Sequence, residues 1–151
     1  RMIDLTTNGK TVGIDISEEC LKKSRKVNSK YHKSIWAAEY GSAEDIPLDS
    51  DYFDIVTAFE TIYFWENIPK AFSEVFRVLK PGGVFMAVSA MSDPNTFWSK
   101  VIDGIKIRTP EELREYMSEA GFKDIVTYRK HKTWACILAK KPTGTNQFFS
   151  F

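Results

Sequence analysis

The chain has 151 residues, of which 43% are hydrophobic and 14% aromatic, enough to bury the core of one domain. Its 21 Lys and Arg residues against 20 Asp and Glu residues leave a formal net charge of +1. The chain therefore has no overall positive potential that would favour binding of a nucleic-acid backbone. The longest apolar runs, such as Trp134–Ala139, are far shorter than the roughly 20 residues that cross a bilayer. We therefore expect a cytoplasmic protein with no membrane span and no nucleic-acid partner, in which Cys20 and Cys136 are buried free thiols.

The first half of the chain alternates strand patterns with a helix pattern. A β-branched run at Thr11–Ile16 follows the turn signal Asn8-Gly9 and predicts a buried strand. Ser17 is placed to cap the next helix, which we expect to end near Asn28 because acidic residues begin it and basic residues follow. A second strand is predicted at residues 35–41, a polar loop at residues 42–52 and a third strand at residues 53–59.

The second half predicts two more helices and a fourth strand. Apolar residues at helical spacing predict a helix over Pro69–Lys80, which Pro81-Gly82-Gly83 is expected to stop before a strand at residues 84–90. The segment Thr109–Glu112 has the signature of a capping box with proline in the first turn, so it predicts the start of a helix that ends at Ala120-Gly121.

Two strand-like runs close the chain, at residues 124–130 and 133–141. The turn between them is too short for a crossover helix, so these strands should be antiparallel. Before them, strands alternate with helices, which predicts a mostly parallel sheet covered on both faces. The predicted fold class is therefore α/β in three layers, with an antiparallel C-terminal strand pair.

The carboxyl ends of the strands are where an open parallel sheet binds its ligands. Asp15 stands at such an end, and its carboxylate could accept hydrogen bonds from the two vicinal hydroxyls of a ribose. The alternative is that Asp15 only helps to cap the helix that follows. The residue taken alone leaves both interpretations open.

Four motifs occur in the order and spacing of one known family. They are Val12–Ser17, Gly41–Leu48, Tyr52–Val56 and Phe76–Gly83. Together they resemble class I S-adenosylmethionine-dependent methyltransferases, in particular the small-molecule branch that includes the quinone-biosynthesis enzymes, over about residues 10–141. The resemblance implies a Rossmann-like three-layer sandwich, S-adenosyl-L-methionine as cofactor and a small-molecule methyl acceptor.

The resemblance also assigns residues to the adenosine part of the cofactor. It implies that Asp15 binds the ribose hydroxyls and that Ile16 makes apolar contact with the adenine. Ser42 stands at the position that contacts the adenine amino group, with the backbone of Ala43 beside it. Because an aspartate is commoner at that position, we expect the adenine contact of Ser42 to be weaker or mediated by water.

The segment after the third strand is implied to face the methionine part of the cofactor and the acceptor. The resemblance implies that Phe59 and Glu60 face the methionine part of the cofactor and that Tyr63 and Phe64 face the acceptor. Many relatives have a histidine where this chain has Phe64, so an acid/base role is not expected at that position. Glu60 is the local candidate for orienting or deprotonating the acceptor. Trp98 is expected in a mobile lid over an apolar acceptor pocket, although such aromatic residues also pack in cores.

The first strand and glycine-rich loop of the family have no counterpart in these residues, since no GxGxG motif occurs. The opening run Arg1–Leu5 has the pattern of the apolar end of a helix, so we expect residues upstream of it. With that first strand missing, the strands at residues 11–16 and 53–59 would each keep an unpaired edge. We expect such a chain to be unstable, to form a homodimer or to borrow a strand. The methyltransferase domain would span residues 1–142, followed by a tail at residues 143–151.

Three functional hypotheses follow. The first is in-line transfer of the sulfonium methyl group of S-adenosylmethionine. This reaction requires the protein to hold the methyl donor and the acceptor in line more than to supply titratable groups. The second is a non-catalytic fragment or degenerate relative that serves as a binding or assembly module. The third, an NAD-dependent Rossmann enzyme, is disfavoured by residues 77–83 and by the closing strand pair. A metal site is not expected, because His32 and His131 are isolated from other ligand types.

Overall fold

The structure is a computed structural model that describes residues 2–6, 8–32, 34–90, 93–95, 97–102, 104–130 and 133–144. The chain forms two compact units, Arg1–Pro47 and Leu48–Phe151. Within the described ranges, no helix is both long enough and apolar enough to cross a membrane.

The first unit is built on a parallel pair of strands. Its elements are α1 (Met2–Leu5), β1 (Thr11–Asp15), α2 (Glu18–Val27) and β2 (Trp36–Tyr40). The two strands pair in register from Thr11 opposite Trp36 to Asp15 opposite Tyr40. Ser17 caps α2 as predicted, because its Oγ accepts the N–H of Cys20 at 3.3 Å. Arg25 ties the helix to β2 by donating to the carbonyl oxygen of Ala38 at 2.9 Å.

The second unit contains a four-stranded sheet and its helices. Its elements are β3 (Phe53–Phe59), a 3-10 turn (Ile62–Phe64), α3 (Ile68–Val78), β4 (Leu79–Ser89), α4 (Trp98–Val101), α5 (Pro110–Glu119), β5 (Lys123–Lys130) and β6 (Trp134–Lys140). The strand order is β3-β4-β6-β5, in which β3 and β4 are parallel and the other two pairs antiparallel. The α/β class with an antiparallel C-terminal pair is thus confirmed. Among the described strands, β1 pairs only with β2 and β3 only with β4, which leaves one edge of β3 open.

One face of the four-stranded sheet carries the core beneath α3 and α5. Phe72, Phe85 and Phe122 are completely buried. The ring of Phe85 lies 5.9 Å from that of Phe72, and the ring of Phe76 lies 5.1 Å from that of Phe122. Gly121 has a φ of +102° and a Cβ there would lie 3.1 Å from the Phe76 ring, so this turn between α5 and β5 requires glycine.

The opposite face of the same sheet is apolar and open. The register aligns Ile55 of β3 with Val84 of β4, and Leu138 of β6 with Val126 of β5. Five large hydrophobic side chains are exposed on this face: Ile55, Phe59, Val126, Tyr128 and Trp134. Ile55 is 61% exposed although it lies in the middle of a strand, so this face is suited to burial against a further layer.

The end of α3 differs from the sequence prediction. The helix ends at Val78, and Pro81-Gly82-Gly83 lies inside β4 instead of stopping the helix. Leu79 is already extended, and the amine of Lys141 donates to the carbonyl oxygens of Phe76 at 2.9 Å and Leu79 at 2.7 Å. The carbonyls at the helix end are therefore capped by the lysine that follows β6. The two glycines lie where the pairing of β3 with β4 is irregular.

The expectation of two buried thiols was also wrong. Cys20 is exposed in the first turn of α2, and Cys136 is half-buried on β6. Cys136 is paired with Tyr128 and Val88 in the ladder, so it belongs to the open face of the sheet. Its partial burial raises the pKa of its thiol above the usual value.

Candidate functional site

The carboxyl end of β1 holds Asp15 in two hydrogen bonds. Its carbonyl oxygen accepts the N–H of Gly41, and its Oδ1 accepts the N–H of Ser17 at 2.8 Å. The helix-capping role therefore exists, but it uses only one carboxylate oxygen. Within the described part of the chain, Oδ2 has no hydrogen-bond partner. Next to it, the apolar side chain of Ile16 is 67% exposed, so an acceptor of hydrogen bonds and an apolar surface adjoin at the strand end.

The carboxyl end of β2 places Ser42 and Ala43 at the same edge as Asp15. The bond from the Gly41 N–H to the Asp15 carbonyl joins the two strand ends directly. Ser42 starts a tight turn, in which its Oγ accepts the N–H of Glu44 at 3.1 Å. A Cβ on Gly41 would lie 2.5 Å from Pro47, so the turn keeps its shape only with glycine there. The four residues assigned to the adenosine are thus brought together within the first unit.

In the second unit, Glu60 follows the carboxyl end of β3. Its φ of +54° is left-handed, an uncommon conformation for glutamate. Its N–H donates to the carbonyl oxygen of Val88 at 2.9 Å, and its two carboxylate oxygens accept the N–H of Ala90 at 2.8 and 3.1 Å. Phe59, just before it, is exposed. Glu60 is therefore attached to the end of β4 through both its backbone and its side chain.

The aromatic residues after Glu60 divide between core and surface. Tyr63 is only 8% exposed and its hydroxyl donates to Glu60 Oε2 at 3.4 Å, whereas Phe64 is 58% exposed. Burial, then the neighbouring Glu60 carboxylate, raises the pKa of Tyr63 above its usual value. Trp65 is half-buried and packs edge-on against the buried Phe72. Trp98 begins α4, but its side chain lies outside the described part of the structure.

Two residues that contribute to this region are not predicted from the sequence. The N–H of Ala90 binds Glu60, and the N–H of Lys106 donates to the carbonyl oxygen of Tyr63 at 2.9 Å. Both act through the backbone, so no side-chain signal could have indicated them. Among the described residues, no group of three or more His, Cys, Asp or Glu side chains is arranged to hold a metal ion; His131 lies outside those residues.

Comparisons with known proteins agree with this arrangement. A family described as "Methyltransferase domain" matches residues 2–87. The chain is 38% identical to the demethylmenaquinone methyltransferase of Symbiobacterium thermophilum, over 76% of this chain and 59% of that enzyme. It is 28% identical to the human mitochondrial 2-methoxy-6-polyprenyl-1,4-benzoquinol methylase, over 82% of this chain and 43% of that enzyme.

Among solved structures, the fold is similar to a complex between the Haloferax volcanii Trm112 methyltransferase activator and a methyltransferase. The TM-score is 0.78 at 19% identity, covering 93% of this chain and 77% of that chain. The chain spans less than two thirds of the length of the two curated relatives named above. These findings favour the methyltransferase hypothesis over the binding module and the NAD-dependent enzyme. The chain belongs to the class I S-adenosylmethionine-dependent methyltransferases, in their small-molecule, quinone-biosynthesis-like branch.

Proposed function

We propose that this chain supplies much of the catalytic domain of an enzyme that transfers a methyl group from S-adenosyl-L-methionine to a small aromatic acceptor of the hydroquinone type. The observation that carries the proposal is Asp15: one carboxylate oxygen is used by Ser17 and the other has no partner among the described residues. A carboxylate at a strand end with spare accepting capacity suits vicinal ribose hydroxyls.

The adenosine part of the cofactor fits the residues of the first unit. Asp15 would accept from the ribose, and the exposed Ile16 would cover one side of the adenine. The hydroxyl of Ser42 and the backbone of Ala43 would bound the adenine edge. The bound cofactor supplies a methyl group already activated by a sulfonium, so the protein has to orient the two reactants and exclude water.

The resemblance assigns other residues to the methionine part of the cofactor and to the acceptor. Phe59 and Glu60 would adjoin the methionine part, and Glu60 would orient or deprotonate the acceptor. The methyl acceptor would be contacted by Tyr63, Phe64 and Trp98. Phe64 offers an exposed aromatic face, which suits a flat apolar acceptor better than a charged one.

The acceptor class is inferred from the relatives. Their names specify demethylmenaquinone and a polyprenyl benzoquinol as the compounds on which those enzymes act. Both names describe rings of the quinone–hydroquinone type, whose oxygens are carbonyls in the oxidised form and hydroxyls in the reduced form. We therefore infer a ring of the hydroquinone type for the acceptor of this chain. We further propose a cytoplasmic location and, for residues 1–151 by themselves, a homodimer that covers the exposed face and open edge of the four-stranded sheet.

Calorimetric titration of the chain with S-adenosylhomocysteine and, separately, with NAD tests the proposed cofactor. We expect heat of binding with S-adenosylhomocysteine and none with NAD, because residues 77–83 and the antiparallel pair of β5 and β6 disfavour an NAD-dependent Rossmann enzyme. Binding of NAD alone would overturn the proposal.

A second test concerns the segment between β4 and α5. Phe97 is 69% exposed there, and Lys106 bonds to Tyr63 beside the proposed acceptor side. If residues 97–102 cover the acceptor, their amide hydrogen exchange should slow when S-adenosylhomocysteine and a short-chain hydroquinone are added together. The helix α5 serves as an internal reference whose exchange should not change. Equal exchange with and without ligands would contradict a lid.

A further inference from the structure

Glu60 completes the ladder between β3 and β4 with its side chain. In a regular parallel ladder, a residue that donates its N–H to Val88 would accept the N–H of Ala90 through its backbone carbonyl. The left-handed φ of +54° at Glu60 ends that backbone pattern, and the carboxylate accepts the Ala90 N–H instead, at 2.8 and 3.1 Å. A charged acceptor makes a stronger bond than the carbonyl it replaces.

Tyr63 links Glu60 to the far end of the connection between β4 and α5. Its hydroxyl donates to Glu60, and its carbonyl oxygen accepts the N–H of Lys106. Ala90 begins the connection from β4 to α5, and Lys106 lies near its end. The four residues Glu60, Tyr63, Ala90 and Lys106, here named the clasp, therefore fix both ends of the segment that carries α4.

We propose that Glu60 is a positioning residue and not the base of the reaction: its carboxylate, with Tyr63, holds both ends of the β4–α5 connection against the carboxyl end of β3. The inference rests on the proposed function, since it chooses between the two roles given to Glu60 there. Both carboxylate oxygens already accept hydrogen bonds from the chain. Tyr63 is buried, and its hydroxyl donates to Glu60 Oε2.

Substitution of Glu60 separates the two roles. Glu60→Gln keeps an oxygen that accepts the Ala90 N–H but cannot take up a proton, whereas Glu60→Ala removes the acceptor. For a positioning residue, Glu60→Gln should keep kcat within about threefold and leave the pH profile unchanged, because loss of a general base costs about 10²–10⁴-fold. Glu60→Ala should raise KM for a short-chain prenylated hydroquinone and speed exchange of the Ala90 amide about tenfold.

Two further variants control for backbone strain and for folding. Glu60→Gly relieves the left-handed conformation and should still speed exchange at Ala90, which assigns the effect to the carboxylate. Thr61→Ser, a neighbour outside the clasp, should change neither readout. The proposal is overturned if Glu60→Gln loses kcat by a hundredfold or more, or if the Ala90 amide exchanges as fast in Glu60→Gln as in Glu60→Ala.

The outcome also distinguishes this inference from the proposed function. If the unchanged chain binds no S-adenosylhomocysteine, the proposed function fails. The exchange rates at Ala90 and Lys106, measured by nuclear magnetic resonance on the same protein, still decide whether the clasp exists. If cofactor binds and the rates of Ala90 exchange are equal in all variants, the clasp fails while the proposed function stands.

Discussion

Asp15→Ala is expected to weaken binding of S-adenosylhomocysteine by about 1.5–3 kcal/mol, which is a rise in Kd of roughly 10–150-fold. The reason is that hydrogen bonds to a charged group are among the stronger ones, and Oδ2 of Asp15 has no partner among the described residues that could compete for it. Calorimetric titration of both proteins under identical conditions measures the change.

The same substitution removes the bond from Ser17 to Asp15, so a matched control is needed. Ser17→Ala removes the cap of α2 at the Cys20 N–H and leaves Asp15 in place. We expect Ser17→Ala to lower the free energy of unfolding by about 1 kcal/mol with no change in Kd. Asp15→Asn keeps an oxygen for the Ser17 N–H but loses the charge, and it should fall between wild type and Asp15→Ala. An unchanged Kd in Asp15→Ala would remove Asp15 from the cofactor site.

Most elements of the fold could be predicted because their signals are local. The third strand was predicted at residues 53–59 and is found there, since its ends are set by a polar loop and by the turn at Glu60. The capping box of α5 was confirmed: Thr109 Oγ1 accepts the N–H of Glu112, and the Glu112 carboxylate accepts that of Thr109. The capping box depends on residues three positions apart, and each end of the strand depends on the residues directly beside it.

The features that were missed depend on residues distant in the chain. The end of α3 is capped by Lys141, more than 60 positions away, so Pro81-Gly82-Gly83 was misinterpreted as its stop. The attachment of Glu60 to Ala90 requires the register of β3 against β4, which a pattern of residue types does not contain. Cys136 resembles a core residue by composition, yet the alternation along β6 turns it to the open face.

The open face of the four-stranded sheet predicts that the chain by itself associates. Ile55 is 61% and Tyr128 59% exposed on this face, and β3 has one edge that no described strand pairs. Exposed apolar sheet faces and unpaired edges both favour association. We therefore expect residues 1–151 alone to self-associate in sedimentation velocity, with a monomer fraction that falls as concentration rises, and to bind S-adenosylmethionine measurably but more weakly than a polypeptide in which this face and edge are covered.

Charge placed on that face should reverse the association. Ile55→Lys puts an ammonium group on the open face of β3, whereas Glu115→Lys changes the charge on the exposed surface of α5 by two units. We expect Ile55→Lys to raise the monomer fraction and Glu115→Lys to leave it unchanged, although the second variant alters the net charge more. A longer polypeptide that provides a neighbouring strand and a cover for this face should be monomeric and bind the cofactor more tightly. A monomeric 151-residue chain with the same affinity as the longer polypeptide would show that neither the open edge nor the open face limits folding and binding.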